Sequence, residues 1–337
     1  LENEEAGMGL TKTISMLALA GGFALAGVQA QAATKWDMSI AWPAGNFHTK
    51  NAMAFAEEVK KKTGGELDIV VHPGGALGLK GPETLQAVRD GLVPIAEMNM
   101  AQQAGSAPFF GLETLPFLVN DYKELKALHA LLRPQIAKIL ESNNQKLLYM
   151  VPWPSQLIFT KKPVAGMADL AGIKIRTTDR NSTEMSERFG MGPVQMPFSD
   201  LMPALASGAV QAVATSASTA VDGKFWEFLT HGYQTNHIWA SNLVSVNLDA
   251  FKKLPEAQRK AIEDTAAALE PKFWAVSEND DVVGQKTLVE KGVKIAPISA
   301  ALRADMSKAT APMWDAYTSR VPGSKDVIDA YRKQVGR

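Results

Sequence analysis

Trp36-Asp37-Met38-Ser39-Ile40-Ala41-Trp42 reads as a strand, Thr49 to Lys62 as a helix, and Leu67-Asp68-Ile69-Val70-Val71-His72 as a second strand. That βαβ order decides the fold class. Within the helix, Ala52, Phe55, Ala56 and Val59 share one face at three- and four-residue spacing, and Gly64-Gly65 ends it. The second strand stops at the Pro73-Gly74-Gly75 turn. Pro82 falls where a first helical residue is favoured, Glu83 to Arg89 carries that helix on to Gly91, and Pro94 to Met98 is the next strand. Such an order predicts an α/β sandwich whose ligand loops lie at the carboxyl ends of the strands.

The pattern continues outward. Leu147 to Val151, Leu157 to Thr160, Ile173 to Arg176 and Val210 to Thr215 read as strands, and Glu184 to Phe189 and Ser199 to Gly208 as helices. From Pro255 the chain is mostly helical, Ala-rich from Ala261 to Leu269, with Pro271 expected at a kink or break. No repeat, low-complexity tract or flexible linker separates two beads. Two domains are therefore expected from a chain that crosses between them more than once.

The 337 residues suffice for two domains, and 46% hydrophobic with 21% charged residues is ordinary for a globular protein. Lys plus Arg number 35, as do Asp plus Glu. Without the first 32 residues, which hold one Lys and three Glu, the balance is 34 against 32, a net +2. No nucleic-acid-binding surface is expected from that balance. The absence of cysteine excludes disulfide scaffolds, thiolate zinc sites and cysteine nucleophiles.

Near the N-terminus, Met8 reads as a start residue. Lys12 is the only charge between Met8 and Lys35, Ile14 to Val28 is apolar and Ala/Gly-rich, and Ala30-Gln31-Ala32 is a small-x-small site. Residues 8–32 are expected to be a secretory signal peptide cleaved near Ala32, because the apolar run is short for a span. The mature chain is expected in the periplasm, with no membrane insertion of its own.

Motifs for catalysis are missing: no H-E-x-x-H, G-x-S-x-G or G-x-G-x-x-G occurs. Gly74 to Gly81 lacks Walker spacing and reads as a turn. His48, His72, His129, His231 and His237 have no metal-ligand spacing, so no metal and no cofactor is expected. His48 reads as a surface residue at a helix start or as a ligand contact, and Asp280-Asp281 and Asp179-Arg180 as solvated charges. Asn181-Ser182-Thr183 matches a glycosylation sequon that a bacterial-type leader makes incidental. Asp169-Leu170-Ala171-Gly172-Ile173-Lys174-Ile175-Arg176 stands out: the strand would end on Arg176 at the lip of a cleft, and an Arg fork suits a carboxylate.

That segment resembles the D-L-x-G-x-K-x-R pattern of the DctP-type solute-binding proteins of TRAP transporters. Further matches follow in order along nearly the whole mature chain, among them Leu115-Pro116-Phe117, Gly192-Pro193-Val194-Gln195-Met196-Pro197-Phe198-Ser199, Gly208-Ala209-Val210 and Thr235-Asn236-His237. The resemblance implies an α/β, two-domain periplasmic-binding-protein-like fold of type II-like kind, its domains joined by crossing strands and a long C-terminal helix. The expected domains are 34–153 plus 241–280, and 154–240 plus 281–337. It further implies a receptor that is not an enzyme, closes over a small organic acid and presents it to TRAP membrane permease subunits.

Arg176 matches the family arginine that pairs with the substrate carboxylate, Phe198 an aromatic position beside the ligand, and Asp179 a position close to that arginine. Thr215 stands where many members carry Asn, and V-D-G-x-E-N is here Val210-Gln211-Ala212-Val213-Ala214-Thr215, followed by Ser216. Gln156 replaces a second arginine of sialic-acid-type members, and Asn99 an acidic residue of theirs. With Trp153, Trp42, Phe47 and Trp239 near other strand ends, the expected pocket has one arginine, amides, hydroxyls and aromatic walls. It suits a monocarboxylate with an apolar or aromatic body, such as a 2-oxo or 2-hydroxy acid. The alternatives are a C4-dicarboxylate receptor, a sensor docking on a signalling receptor, or a secreted hydrolase or isomerase using Ser216 or Ser218.

Overall fold

The computed structural model describes residues 33–337, and the expected signal peptide lies outside them. The strands are β1 (Thr34–Ser39), β2 (Leu67–His72), β3 (Ile95–Asn99), β4 (Gln145–Pro152), β5 (Gln156–Thr160), β6 (Lys174–Thr177), β7 (Gly192–Gln195), β8 (Ala212–Ser216), β9 (His231–Gln234), β10 (Ser241–Asn247) and β11 (Lys294–Pro297). They form two sheets, ordered β2-β1-β3-β10-β4 and β11-β9-β5-β8-β6-β7.

Each sheet takes one strand from the far side of a crossing. After β4 the chain passes through Trp153 to Ser155 and enters the second sheet as β5, antiparallel between β8 and β9. After β9 it returns through residues 235–240 and enters the first sheet as β10, antiparallel between β3 and β4. Both sheets are thus completed by strands delivered across the junction, which ties the two lobes together.

The helix after β1 spans Phe47–Lys62, two residues longer at its start than its pattern predicts, because the Asn46 side chain caps it by accepting from the His48 N–H. It buries Ala52, Phe55 and Val59 against Trp36, Met38 and Leu67. The next helix begins at Thr84, with Pro82 before it rather than inside. Tyr122–Ser142 is a helix that the strand-by-strand reading omits; Asp121 caps it, and Leu125, Leu128, Leu132, Ile136 and Leu140 are its buried stripe.

Glu256–Glu290 is one 35-residue helix, about 50 Å long, and it runs through Pro271 without a break. Pro271 and Ala267 are both exposed, so the carbonyl that loses its donor lies on the solvent side. Its first half packs Ile262, Ala266 and Phe273 into the first lobe, and Leu288 joins the second. Gly284 permits close approach to the helix Ala217–Asp222: a Cβ there would lie 3.2 Å from the Ala217 Cβ.

The C-terminal helices differ from the expected boundary. Residues 281–337 are expected with the second lobe, yet Tyr317, Val321, Val327, Ile328 and Tyr331 share a core with Leu118, Leu125, Leu128 and Leu132 of the first. Tyr331 Oη donates to the Leu118 carbonyl at 3.0 Å. Among the described residues no helix is long and apolar enough to cross a membrane.

Candidate functional site

The carboxyl ends of β1 and β3, the end of β4 and the start of β10 meet at one edge of the first sheet. The carboxyl ends of β6, β7 and β8 and the start of β5 meet at one edge of the second. The crossing segments leave from these same edges, so the two face each other across the junction, where α/β sheets bind ligands.

Arg176 lies in β6, level with Val213 of β8 and Val194 of β7. It is buried, with 1% exposure. Its Nε–H donates to the Met196 carbonyl at 3.1 Å, while Nη2 has no protein partner. Burial lowers its pKa to about 10, and the charge of Asp179 opposes that shift. A guanidinium in such surroundings gains strongly from an anion. Thr215, two residues beyond Val213, sits on the same face of the sheet and is buried.

An aromatic wall joins the lobes. Trp42 and Trp153 lie edge to face at 4.6 Å between centroids, Phe47 meets Trp153 at 5.3 Å, and Trp42 reaches Phe198 of the second lobe at 5.8 Å. The Trp153 indole N–H donates to Asn242 Oδ1 at 2.7 Å. Asn242 is the register partner of Asn99, whose Oδ1 accepts from the Gln102 N–H at 3.4 Å. Gln156 pairs in register with Ser216 and donates Nε2–H to the Pro154 carbonyl at 2.9 Å.

Trp239 stands apart from the junction, and Asp179, whose charge reaches Arg176, is committed to other partners. Trp239 belongs to the core behind the first sheet and meets Tyr122 edge to face at 4.8 Å, away from the aromatic wall. Asp179 is not a solvated charge: it is buried and caps the helix Arg180–Arg188, accepting from the Asn181 and Ser182 N–H groups and from the Thr178 and Ser182 hydroxyls. The same cap docks on the first lobe, with Asn181 Nδ2 donating to the Gly111 carbonyl at 2.8 Å. A cleft of about 560 Å³ adjoins this contact, lined by Gln102, Gly105, Asp179, Arg180, Gln195 and Arg320; neither Arg176 nor the aromatic wall lines it.

Ser216 caps the helix Ala217–Asp222 through Thr219, and Ser218 donates to Asp280. Neither has a histidine partner. Ser241, His129 and Glu113 do meet, at 2.9–3.1 Å, but the hydroxyl and the carboxylate share one ring nitrogen, so the ring cannot relay a proton between them. Among the described residues no group of three or more His, Asp or Glu side chains could hold a metal.

Sequence reasoning missed the acidic group behind the wall, Glu97, and left His48 open between a surface residue and a ligand contact. His48 is buried, not on the surface, with its ring 4.4 Å from Trp153 and Nδ1 3.4 Å from Glu97 Oε1. Glu97 also accepts from Asn242 Nδ2. Burial raises Glu97 to about 8 and holds His48 well below its ordinary value. Nor are Asp280 and Asp281 fully solvated: burial raises both, and they accept from Ser218 and Ser155.

Two interleaved α/β lobes with a buried arginine at their junction are the architecture of a two-domain solute-binding protein. Residues 38–320 match the bacterial extracellular solute-binding protein, family 7 (DctP), and the chain belongs to that family, the solute receptors of TRAP transporters. DctP7 of Bordetella pertussis, an extracytoplasmic solute receptor binding pyroglutamic acid, is similar with a TM-score of 0.87 and 31% identity, over 89% of this chain and 100% of that one. A marine metagenome TRAP solute binding protein specific for pyroglutamate gives 0.86 and 34%, over 90% and 100%. The 2,3-diketo-L-gulonate-binding periplasmic protein YiaO of Escherichia coli K12 is 27% identical over 289 residues, 83% of this chain and 85% of that one. The family is periplasmic, binds small organic acids and works with membrane permease subunits; its members are receptors rather than enzymes.

Proposed function

We propose that this chain is the exported receptor of a TRAP transporter for a small monocarboxylate with a compact, largely apolar body, and that a ring acid such as pyroglutamate is its ligand. The buried Arg176 with its unpartnered Nη2 carries the reading, since one carboxylate satisfies it. The aromatic wall of Trp42, Trp153 and Phe198 supports an apolar body, and Gln156, where a second cation would stand, supports a single carboxylate. The pyroglutamate ligands of two relatives above 30% identity point the same way.

The mechanism is hinge closure. The carboxylate docks on Arg176, the first lobe brings Trp42 and Trp153 over the body, and the crossing segments 153–155 and 235–240 take up the rotation. The closed form is then presented to the permease, and no bond is made or broken in the ligand. The test is thermal denaturation against ring monocarboxylates, 2-oxo and 2-hydroxy acids, sugar acids and C4-dicarboxylates. A ligand at 100 times its Kd adds about 2.7 kcal/mol. A response confined to monocarboxylates supports the reading, and a response to C4-dicarboxylates alone overturns it.

A further inference from the structure

We propose that Glu97, held by Asn242 and lying beside His48, is the specificity residue of the pocket: it accepts an N–H or O–H from the body of a ligand whose carboxylate lies on Arg176. The proposal rests on the monocarboxylate reading above. Glu97 and Asn99 lie on one face of β3, and Asn99 ends the strand at the junction edge. Glu97 is therefore one side-chain step behind that edge, on the face where Asn242 pairs with Asn99.

The hydrogen bonds leave one atom over. Glu97 Oε1 takes the Asn242 Nδ2 hydrogen and lies near His48 Nδ1, while Oε2 is buried with no partner. His48 Nε2 beside it is also buried and unpartnered. Tyr149 does not supply the missing donor: it sits across Val244 from Glu97, between Phe55 and Phe273. A buried oxygen left open is costly; burial favours the protonated acid, and a donor arriving at Oε2, like Asn242 at Oε1, favours the carboxylate that accepts it.

Adjacency links this acceptor to the ligand wall. His48 touches Trp153, Trp153 touches Trp42, and Trp42 touches Phe198, two residues beyond the carbonyl that holds Arg176. A compact ligand spanning the wall would thus have a cation at one end and a carboxyl acceptor at the other. Carboxylates with a ring N–H or a hydroxyl satisfy both, and isosteres without a donor leave Glu97 open. Sites that hydrogen-bond a donor reject such isosteres strongly.

Calorimetric titration with pyroglutamate and with 5-oxotetrahydrofuran-2-carboxylate, which has ring oxygen in place of N–H, isolates that one hydrogen. The wild type should prefer the lactam at least 50-fold, and Glu97→Leu should reduce the ratio below fivefold. Glu97→Gln, which keeps the shape should the leucine variant not fold, should lower it about tenfold. An unchanged ratio in either folded variant, or equal binding of both compounds by the wild type, overturns the proposal and leaves the monocarboxylate reading standing. Binding of neither overturns the proposal and the choice of a ring acid, while the monocarboxylate reading stands or falls with the thermal-denaturation panel.

Discussion

Asn46 and Asp222, at the head of the first lobe's Phe47–Lys62 helix and the end of the second lobe's Ala217–Asp222 helix, share a 2.6 Å hydrogen bond from Nδ2 to Oδ2. The Asn46 Oδ1 meanwhile caps its own helix through the His48 N–H. One side chain therefore performs a local task and a bridging task, and the two can be separated. Asn46→Ser keeps a good cap and removes the bridge. We predict a three- to tenfold weaker ligand affinity, about 1 kcal/mol, with thermal stability almost unchanged. Wild-type affinity in titration calorimetry would show that the bridge has no part in closure.

Asp222 makes stability depend on pH in a definite direction. Burial, helped by the charge of Asp280 and opposed by the Asn46 bond and by Lys50, raises its pKa from the ordinary 3.8 to about 6. The folded form therefore holds the proton more tightly than the unfolded chain. Its contribution is full below about pH 4 and is lost as the pH rises through 6. Urea unfolding of wild type and Asp222→Asn from pH 4 to 7 should diverge by about 1–3 kcal/mol. Parallel curves would refute the assignment.

Arg176 should be needed for binding and costly to the free protein. Removing it leaves a desolvated carboxylate unpaired, which we expect to weaken binding by about 2–5 kcal/mol. Arg176→Met exchanges a buried charge for an apolar chain of similar length, which is neutral or stabilising by about 1–4 kcal/mol at such sites. The expected pair of results is a lost ligand-induced thermal shift and an unchanged or higher Tm without ligand. Retained affinity would remove Arg176 from the site.

Asp179 should behave in the opposite way. Its carboxylate is occupied by the cap and by the contact between lobes, so Asp179→Ala should cost at least the ~1–2 kcal/mol of a lost cap. Ligand affinity, corrected for the folded fraction, should change less than fivefold. A large affinity loss with stability intact would make Asp179 a ligand contact.

The elements best read in advance are those with local causes. β2 and the Phe47–Lys62 helix follow from apolar spacing, an Asn cap and glycine stops, and Arg176 from its place in a strand motif. Pro271 misleads because its cost depends on which side of the helix faces water, which packing determines. Trp239 misleads likewise: an indole near a strand end can face either side of the sheet, and this one faces the core.

Family, alternation of strands and helices, and a strand that carries Arg176 were all legible along the chain, since each rests on neighbours a few residues apart. Crossing between the lobes was expected too, but that β5 and β10 are the strands exchanged, the Asn46–Asp222 bridge and the open oxygen of Glu97 were not legible. Glu97 sits in an apolar run that reads as an ordinary strand. Its charge state and its open oxygen arise from Asn242, His48 and burial, which come together only when distant segments pack.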